Sequence, residues 1–329
     1  MAAAEHASRG GRVMEAVFTL LALAAKHGRL VLVAGLAAGI AFPGAALAMK
    51  EWIAELVAGL LFVAALRVGP RQALGALADL RTSAGFLIVY QIAFPIAAIL
   101  TFALAGWTGA LATGLVLMLA APPISGSPNL TLLTGNDPAP ALRQMVLATA
   151  LLPLTVIPVL WLAPSLGDAA AVLGASARLL TIILAATGAA FLIRGFVLRS
   201  PSRRTYAAID GLSAIMMAIV VVGLMSAVGP ALVGDPTRFA TALFTAFAAN
   251  FGLQIALVVI LRQSRWRRLA APMGIVAANR NIALFLTALP AAVTDPLLLF
   301  IGCYQIPMYL TPVLLDRLYR PGPPRDALP

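Results

Sequence analysis

Ten apolar runs, each about as long as a bilayer core is thick, are joined by loops that alternate between arginine-rich and arginine-poor. A helix rises about 1.5 Å per residue, so roughly 20 residues cross the hydrocarbon. The runs fall at about 30–49, 51–67, 82–105, 108–134, 140–164, 175–197, 206–227, 238–261, 270–292 and 294–315. One set of loops, together with both chain ends, holds nineteen of the 23 Lys and Arg residues, from Arg9, Arg12, Lys26 and Arg29 to Arg317, Arg320 and Arg325. The alternate loops hold only Lys50, Arg178 and Arg238. Positive charge is retained on the cytoplasmic side, so the alternation predicts ten spans with both termini in the cytoplasm; a miscounted span would scramble it. Charged residues make up 11% of the chain, against about 25% in soluble domains. The net charge of +11 is spread through these loops rather than gathered on an aromatic-rich patch, so it points to membrane topology and away from nucleic acid.

Residues 1–28 imitate a signal peptide, with Arg9 and Arg12 ahead of an apolar stretch containing Ala22-Leu23-Ala24. Cleavage there would strand Lys26, His27 and Arg29 on the wrong side, and the stretch is short for a span. A retained cytoplasmic helix at the membrane interface is the expectation. Residues 29–316 then form the ten-helix unit, and residues 317–329 a disordered cytoplasmic tail. The lone Cys303 excludes an internal disulfide and reads as a small core residue.

Ten spans divide near Asp168 into five and five. Five is odd, so two homologous halves would enter the membrane from opposite faces, as an inverted repeat. Gln91, just before Pro95 in span 3, has counterparts in Asn250 and Gln254 of span 8. Spans 4 and 9 each carry a polar interruption. Paired interruptions at corresponding positions are the sequence pointer to a transporter's binding site. The expected fold is therefore all-α and polytopic, with broken helices 4 and 9 crossing at mid-membrane.

In span 4, Pro122, Pro123 and Pro128 cannot donate hydrogen bonds and Gly126 permits a sharp turn. The helix must unwind there. Ser127 or Asn129 is expected to cap a second half-helix ending near Gly135, whose free N–H groups favour an anion. In span 9, Asn279-Arg280-Asn281 puts a guanidinium about 15 Å from either face, beyond the reach of a snorkelling side chain. No carboxylate lies at that depth, Asp137 being the nearest candidate. Arg280 is expected to line a water-filled cavity, unpaired and ready for an anionic ligand. Asn279, Asn281, Ser127, Asn129, Gln305 and Asn250 complete the candidate substrate site. Gln91, Ser125, Thr131 and Gln144 are candidates for an ion site or the helix crossing.

This pattern resembles the bile acid:sodium symporter family over residues 29–316. Pro122–Asn136 is similar to the family's Pro-Gly-Gly-Thr-Ala-Ser-Asn run and following Gly-Asn turn, here Gly135-Asn136. Gln91 before Pro95 is similar to its span-3 glutamine. Asn250-Phe251-Gly252 resembles a span-8 His-Asn-Gly, and Tyr304-Gln305 falls where span 10 carries His-Asn. The span-9 stretch resembles Glu-Val-Gly-Met-Gln-Asn-Ser-Gly. The resemblance implies a panel domain (spans 1, 2, 6 and 7), a core domain (spans 3–5 and 8–10), substrate bound between them, and alternating access by rocking. The membrane expected is a bacterial inner (plasma) membrane. At the family's sodium-coordinating glutamate this chain has Ile275, and Arg280 stands where the motif has asparagine. A sodium ion about 4 Å from that guanidinium would meet roughly 4 kcal/mol of repulsion at an effective dielectric of 20. Arg280 is expected to take over the sodium's electrostatic role.

The function expected is secondary transport of an organic anion, a bile-acid-like molecule or a small carboxylate or sulfonate, with no cofactor and with sodium coupling in doubt. An oxyanion or arsenite efflux permease is the alternative within transport, without the cysteine its relatives carry in the first broken helix. A membrane sensor is a further alternative, lacking an attached signalling domain. An enzyme would need a convergent cluster of His, Asp, Glu or Cys, and the spans show none.

Overall fold

The structure, a computed structural model, describes residues 2–163 and 169–320. The expected division at Asp168 and the tail beyond Arg320 lie outside the described residues. Those described fold into helices and turns with no strand. In chain order the helices that matter here are α1 (Ala2–Lys26), α2 (Gly28–Ala41), α3 (Pro43–Lys50) and α4 (Ile53–Gly75). Then come α5 (Leu80–Leu104), α6 (Ala110–Ala120), α7 (Ser127–Leu133), α8 (Ala139–Leu162) and α9 (Ala169–Phe196). The last four are α10 (Arg203–Gly234), α11 (Pro236–Arg262), α12 (Ala270–Ala278) and α13 (Ala291–Leu314).

Seven of these, α4, α5, α8, α9, α10, α11 and α13, are long and apolar enough to cross a membrane; the count is eight if Met14–Lys26 and α2 are taken as one bent span. The chain is a polytopic, all-helical integral membrane protein. The seven coincide with seven of the ten expected runs. The other three runs are each divided. Run 30–49 splits at Phe42-Pro43 into α2 and α3, with Pro43 as the first residue of the new helix, where its missing N–H costs nothing. Run 108–134 splits into α6 and α7, and run 270–292 into α12 and a 3₁₀ segment, Ile282–Thr287.

The end of α1, Met14–Lys26, lies at 84° to α2, the angle a helix lying along a membrane surface would make with one crossing it. It packs on α10. In hydrocarbon, helices gain little from burying apolar surface and associate through close packing of small residues. Between α2 and α10, Gly35 and Gly39, one turn apart on α2, supply such a contact. A Cβ on Gly35 would meet the Ala218 carbonyl oxygen at 2.7 Å, and one on Gly39 would meet Met225 Cβ at 2.6 Å. α2, α4, α9 and α10 thus form one packed group. A second group gathers α11, α12 and α13 around the breaks, with α5, α7 and α8 beside them.

Within α5, residues Val89–Ala93 widen into a π-helical turn. Pro95 has no N–H to give the carbonyl of Gln91, so the regular ladder fails there. Gln91 sits in that turn, fully buried.

Candidate functional site

The two breaks meet through their backbones. Asn281 N donates to Pro122 O at 2.8 Å and Ile124 N donates to Asn279 O at 2.9 Å. These two bonds bracket an antiparallel pair, Pro123 opposite Arg280. Neither residue of such a pair uses its own N–H in the ladder. Proline is therefore tolerated at position 123, and the Arg280 N–H is left to donate elsewhere, to Tyr304 Oη at 3.3 Å. The crossing thus falls on Pro122–Ile124, at the first two of the three prolines expected to unwind span 4.

Each helix entering the crossing ends with carbonyls that have no helical partner. Every one of the last three on each side finds a donor. Ala120 O accepts from Gln91 Nε2, Ala121 O from Arg280 Nη1, and Pro122 O from Asn281 N, at 3.3, 2.8 and 2.8 Å. On the other side Ala277 O accepts from Arg280 Nε at 2.6 Å. Ala278 O accepts from Asn250 Nδ2 at 2.6 Å and from the Tyr304 hydroxyl. Asn279 O takes Ile124 N. Buried carbonyls left unpaired cost about 1–3 kcal/mol each, so this set of donors is what permits irregular backbone at this depth.

Arg280 is 2% exposed. Its guanidinium touches both broken helices, lies 5.4 Å from the Tyr90 ring centre, and leaves Nη2 without a hydrogen-bond partner. No ion pair to Arg280 occurs among the described residues; Asp137 instead accepts from Ala139 N at 3.0 Å. Arg280, Asn281, Ser125 and Gln305 line a cavity of about 30 Å³ with Val57, Leu60, Met217, Val221, Met308 and Tyr309. That volume holds about one water. The expected water-filled cavity is thus a single small void, because the guanidinium is committed to carbonyls at both helix ends. A larger cavity of about 520 Å³ lies at the Lys50–Asp295 end of the molecule, lined by Ile53, Ala54, Leu286 and Leu289. It is about one turn of α4 from the small cavity, which meets Val57 and Leu60.

The other expected residues hold the crossing from behind or lie away from it. Asn279 donates to Ile275 O and accepts from Thr311 Oγ1, at 2.8 and 3.3 Å. Asn250 accepts from Gln254 Nε2 at 2.6 Å, and Gln254 accepts from Tyr319 Oη at 2.5 Å. Gln305 Nε2 is turned back to Ile301 O at 3.1 Å. Gln91 also donates to Ala148 O at 3.2 Å, while its Oε1 has no partner. Gln144, oriented by its neighbours, donates to Ser83 O at 3.1 Å and so ties α8 to α5.

The capping expected of Ser127 and Asn129 does not occur. Gly126 is the cap residue and no side chain bonds to this end. Ser127 N is taken by Ile124 O, Ser127 Oγ is buried without a partner, Pro128 has no N–H, and Asn129 is exposed. With the Ser127 N–H engaged and the Pro128 N–H missing, the start of the seven-residue α7 offers fewer free donors than the expected anion cradle. Its far end fits the expectation: Thr131 bonds within the helix to Ser127 O, and Gly135 ends it with φ 77°, a conformation costly for other residues. Tyr90, Tyr304 and Thr311 matter at the crossing and were outside the expected set. Only Tyr304 carried a signal, through the span-10 resemblance.

Among the described residues, no three His, Cys, Asp or Glu side chains group as metal ligands. Cys303 is buried and free. No family model matches this chain, and no curated protein matches it.

Proposed function

We propose that this protein is a secondary transporter of an organic anion, built of ten spans in two inverted five-helix repeats and working by alternating access. The observation that carries the reading is the crossing itself. Two interrupted apolar segments pair through their backbones around a buried cation that has no carboxylate, beside a cavity. Discontinuous helices meeting at mid-membrane are the usual form of a transporter's binding site.

Two further observations support the topology. Among the described residues, each ion pair joins residues that the charge alternation assigns to one side: Arg67 with Asp210, Arg143 with Asp79, Arg204 with Glu15, Arg320 with Asp316, and, on the opposite side, Lys50 with Asp295. The repeat is supported by the amides behind the breaks. Gln91 of α5 donates to Ala120 O, the last residue of α6, as Asn250 of α11 donates to Ala278 O, the last residue of α12. Equivalent helices thus serve equivalent helix ends.

In this reading α2–α4, α9 and α10 are the panel, α5–α8 with α11–α13 are the core that carries the crossing, and α1 is the interfacial segment ahead of them. The small cavity lies between the two, with Val57 and Val221 on the panel side and Arg280, Asn281 and Gln305 on the core side. Its aliphatic wall and few convergent polar groups suit an amphipathic carboxylate or sulfonate. The unpartnered Nη2 is the donor left for the anionic head. A cavity this small is narrower than such a substrate, and rocking the panel away from the core would widen it. Both termini are cytoplasmic, the membrane being a bacterial inner or plasma membrane.

Uptake of radiolabelled carboxylates and sulfonates into proteoliposomes tests this. Asn281→Ala and Gln305→Leu are expected to raise KM roughly 10-fold, and Arg280→Lys roughly 10- to 100-fold, because a charged hydrogen bond contributes about 1.5–3 kcal/mol. Uptake unaffected by all three substitutions would remove this site from the transport path.

A further inference from the structure

Two helices end at the crossing, and both present their C-termini to it. α6 stops at Ala120 and α12 at Ala278. Each helix C-terminus carries roughly half a negative charge, spread over its last free carbonyls. Two of them together amount to about one negative charge, drawn together around a buried side chain. Unwound carbonyls and half-helix C-termini of this kind are where membrane transporters coordinate monovalent cations. Here the guanidinium of Arg280 lies among them. Nε binds Ala277 O on one helix end and Nη1 binds Ala121 O just past the other, at 2.6 and 2.8 Å. The side chain is 2% exposed, and Tyr90 offers it a ring face rather than a second charge.

We infer that Arg280 is a tethered cation: it occupies, covalently and permanently, the position at which an alkali ion would otherwise bridge the two helix ends. The local balance fits. One positive charge meets about one negative charge of helix dipole, so no carboxylate is required and a second cation is repelled. The wild-type crossing is therefore assembled without an alkali ion. Removing the guanidinium uncovers the Ala121 and Ala277 carbonyls, which then form a weak site for sodium or lithium, with Tyr304 and Asn250 still on Ala278 O. The inference concerns cohesion of the crossing and stands whether or not the protein transports an anion.

The test is made on the purified full chain in detergent, following thermal unfolding in NaCl, LiCl or choline chloride at equal ionic strength, together with equilibrium binding of ²²Na⁺. Wild type is expected to unfold at the same temperature in all three salts and to bind no sodium saturably. Arg280→Lys, which keeps a tethered charge, should likewise ignore the salt. Arg280→Gln and Arg280→Ala should unfold earlier in choline. They should recover by roughly 5 °C as sodium saturates the new site, since ligand binding raises stability with concentration. Neutral variants that stay monodisperse only with sodium or lithium present would support the inference as well. Saturable sodium binding to wild type overturns it whatever the variants do. A folded neutral variant indifferent to alkali ions also overturns it, as do neutral variants recovered in no salt while Arg280→Lys folds.

Discussion

The first break, Ala121–Gly126, and the second, Asn279–Asn281, reach the same geometry by different means. Pro122, Pro123 and Pro128 interrupt the first helix covalently: three N–H groups are missing, so no surroundings could restore its ladder. The second break contains no proline. Asn, Arg and Asn are only modestly poorer helix formers than alanine, by well under about 1 kcal/mol each. That stretch is held extended by tertiary contacts. Arg280 reaches back to Ala277 O and across to Ala121 O, Tyr304 meets both the Arg280 N–H and Ala278 O, and Asn250 anchors Ala278 O from α11. A break written into the backbone needs few helpers; one written into side chains needs many. The donors match this. Gln91 serves the first break through one long bond to Ala120 O, its other bond going to Ala148 O of α8 and its Oε1 unpartnered, whereas Tyr319, Gln254, Asn250, Thr311 and Asn279 form a connected buried network behind the second.

If that contrast holds, variants around the second break cost more than those around the first. The largest effect is expected for Arg280→Ala in alkali-free buffer. Two buried carbonyls and the charge balance of both helix ends are lost together, a cost of about 3–5 kcal/mol, measured by denaturant or thermal unfolding. Asn250→Ala should follow at about 1–3 kcal/mol, because Ala278 O loses a donor and Gln254 Nε2 loses one of its two acceptors; the double variant with Arg280→Ala should be non-additive, since both act on adjoining carbonyls. Tyr304→Phe removes a hydroxyl that both donates and accepts, at about 1–2 kcal/mol, with Ala278 O still held by Asn250. For Gln91→Met the expectation is about 1 kcal/mol or less, because the bonds lost are long and an unpaired oxygen leaves with them. Lys50→Ala, at a partly exposed ion pair, should change stability by less than about 1 kcal/mol. A Gln91→Met effect as large as that of Asn250→Ala would show that the two breaks are held alike.

The residues differ in how far they could be read beforehand. The seven long helices and the proline break were legible, because both depend on local properties: apolar length and the absence of N–H donors. Arg280 was legible as an anomaly, a charge with no carboxylate at its depth. Its contacts were not. The acceptors of its Nε and Nη1 are alanine carbonyls, and an alanine carbonyl leaves no mark in a residue code. Tyr90 next to Gln91 carried no spacing that would aim its ring at position 280. Ser127 and Asn129 looked like caps because caps are normally argued from residue type, yet the helix starts earlier, at Gly126, whose carbonyl already takes the Leu130 N–H that a Ser127 cap would have served.

Sequence by itself determined that this chain enters a membrane many times, where one helix must break, and that a permanent positive charge is carried deep in an apolar segment. These follow from transfer energies and covalent constraints that act residue by residue. Only the tertiary structure decided that the second helix breaks opposite Pro123, that two helix C-termini point at one guanidinium, and that the space beside it holds about one water. Those outcomes depend on which carbonyls are left unpaired when two distant segments meet, and the chain has to fold before that balance exists.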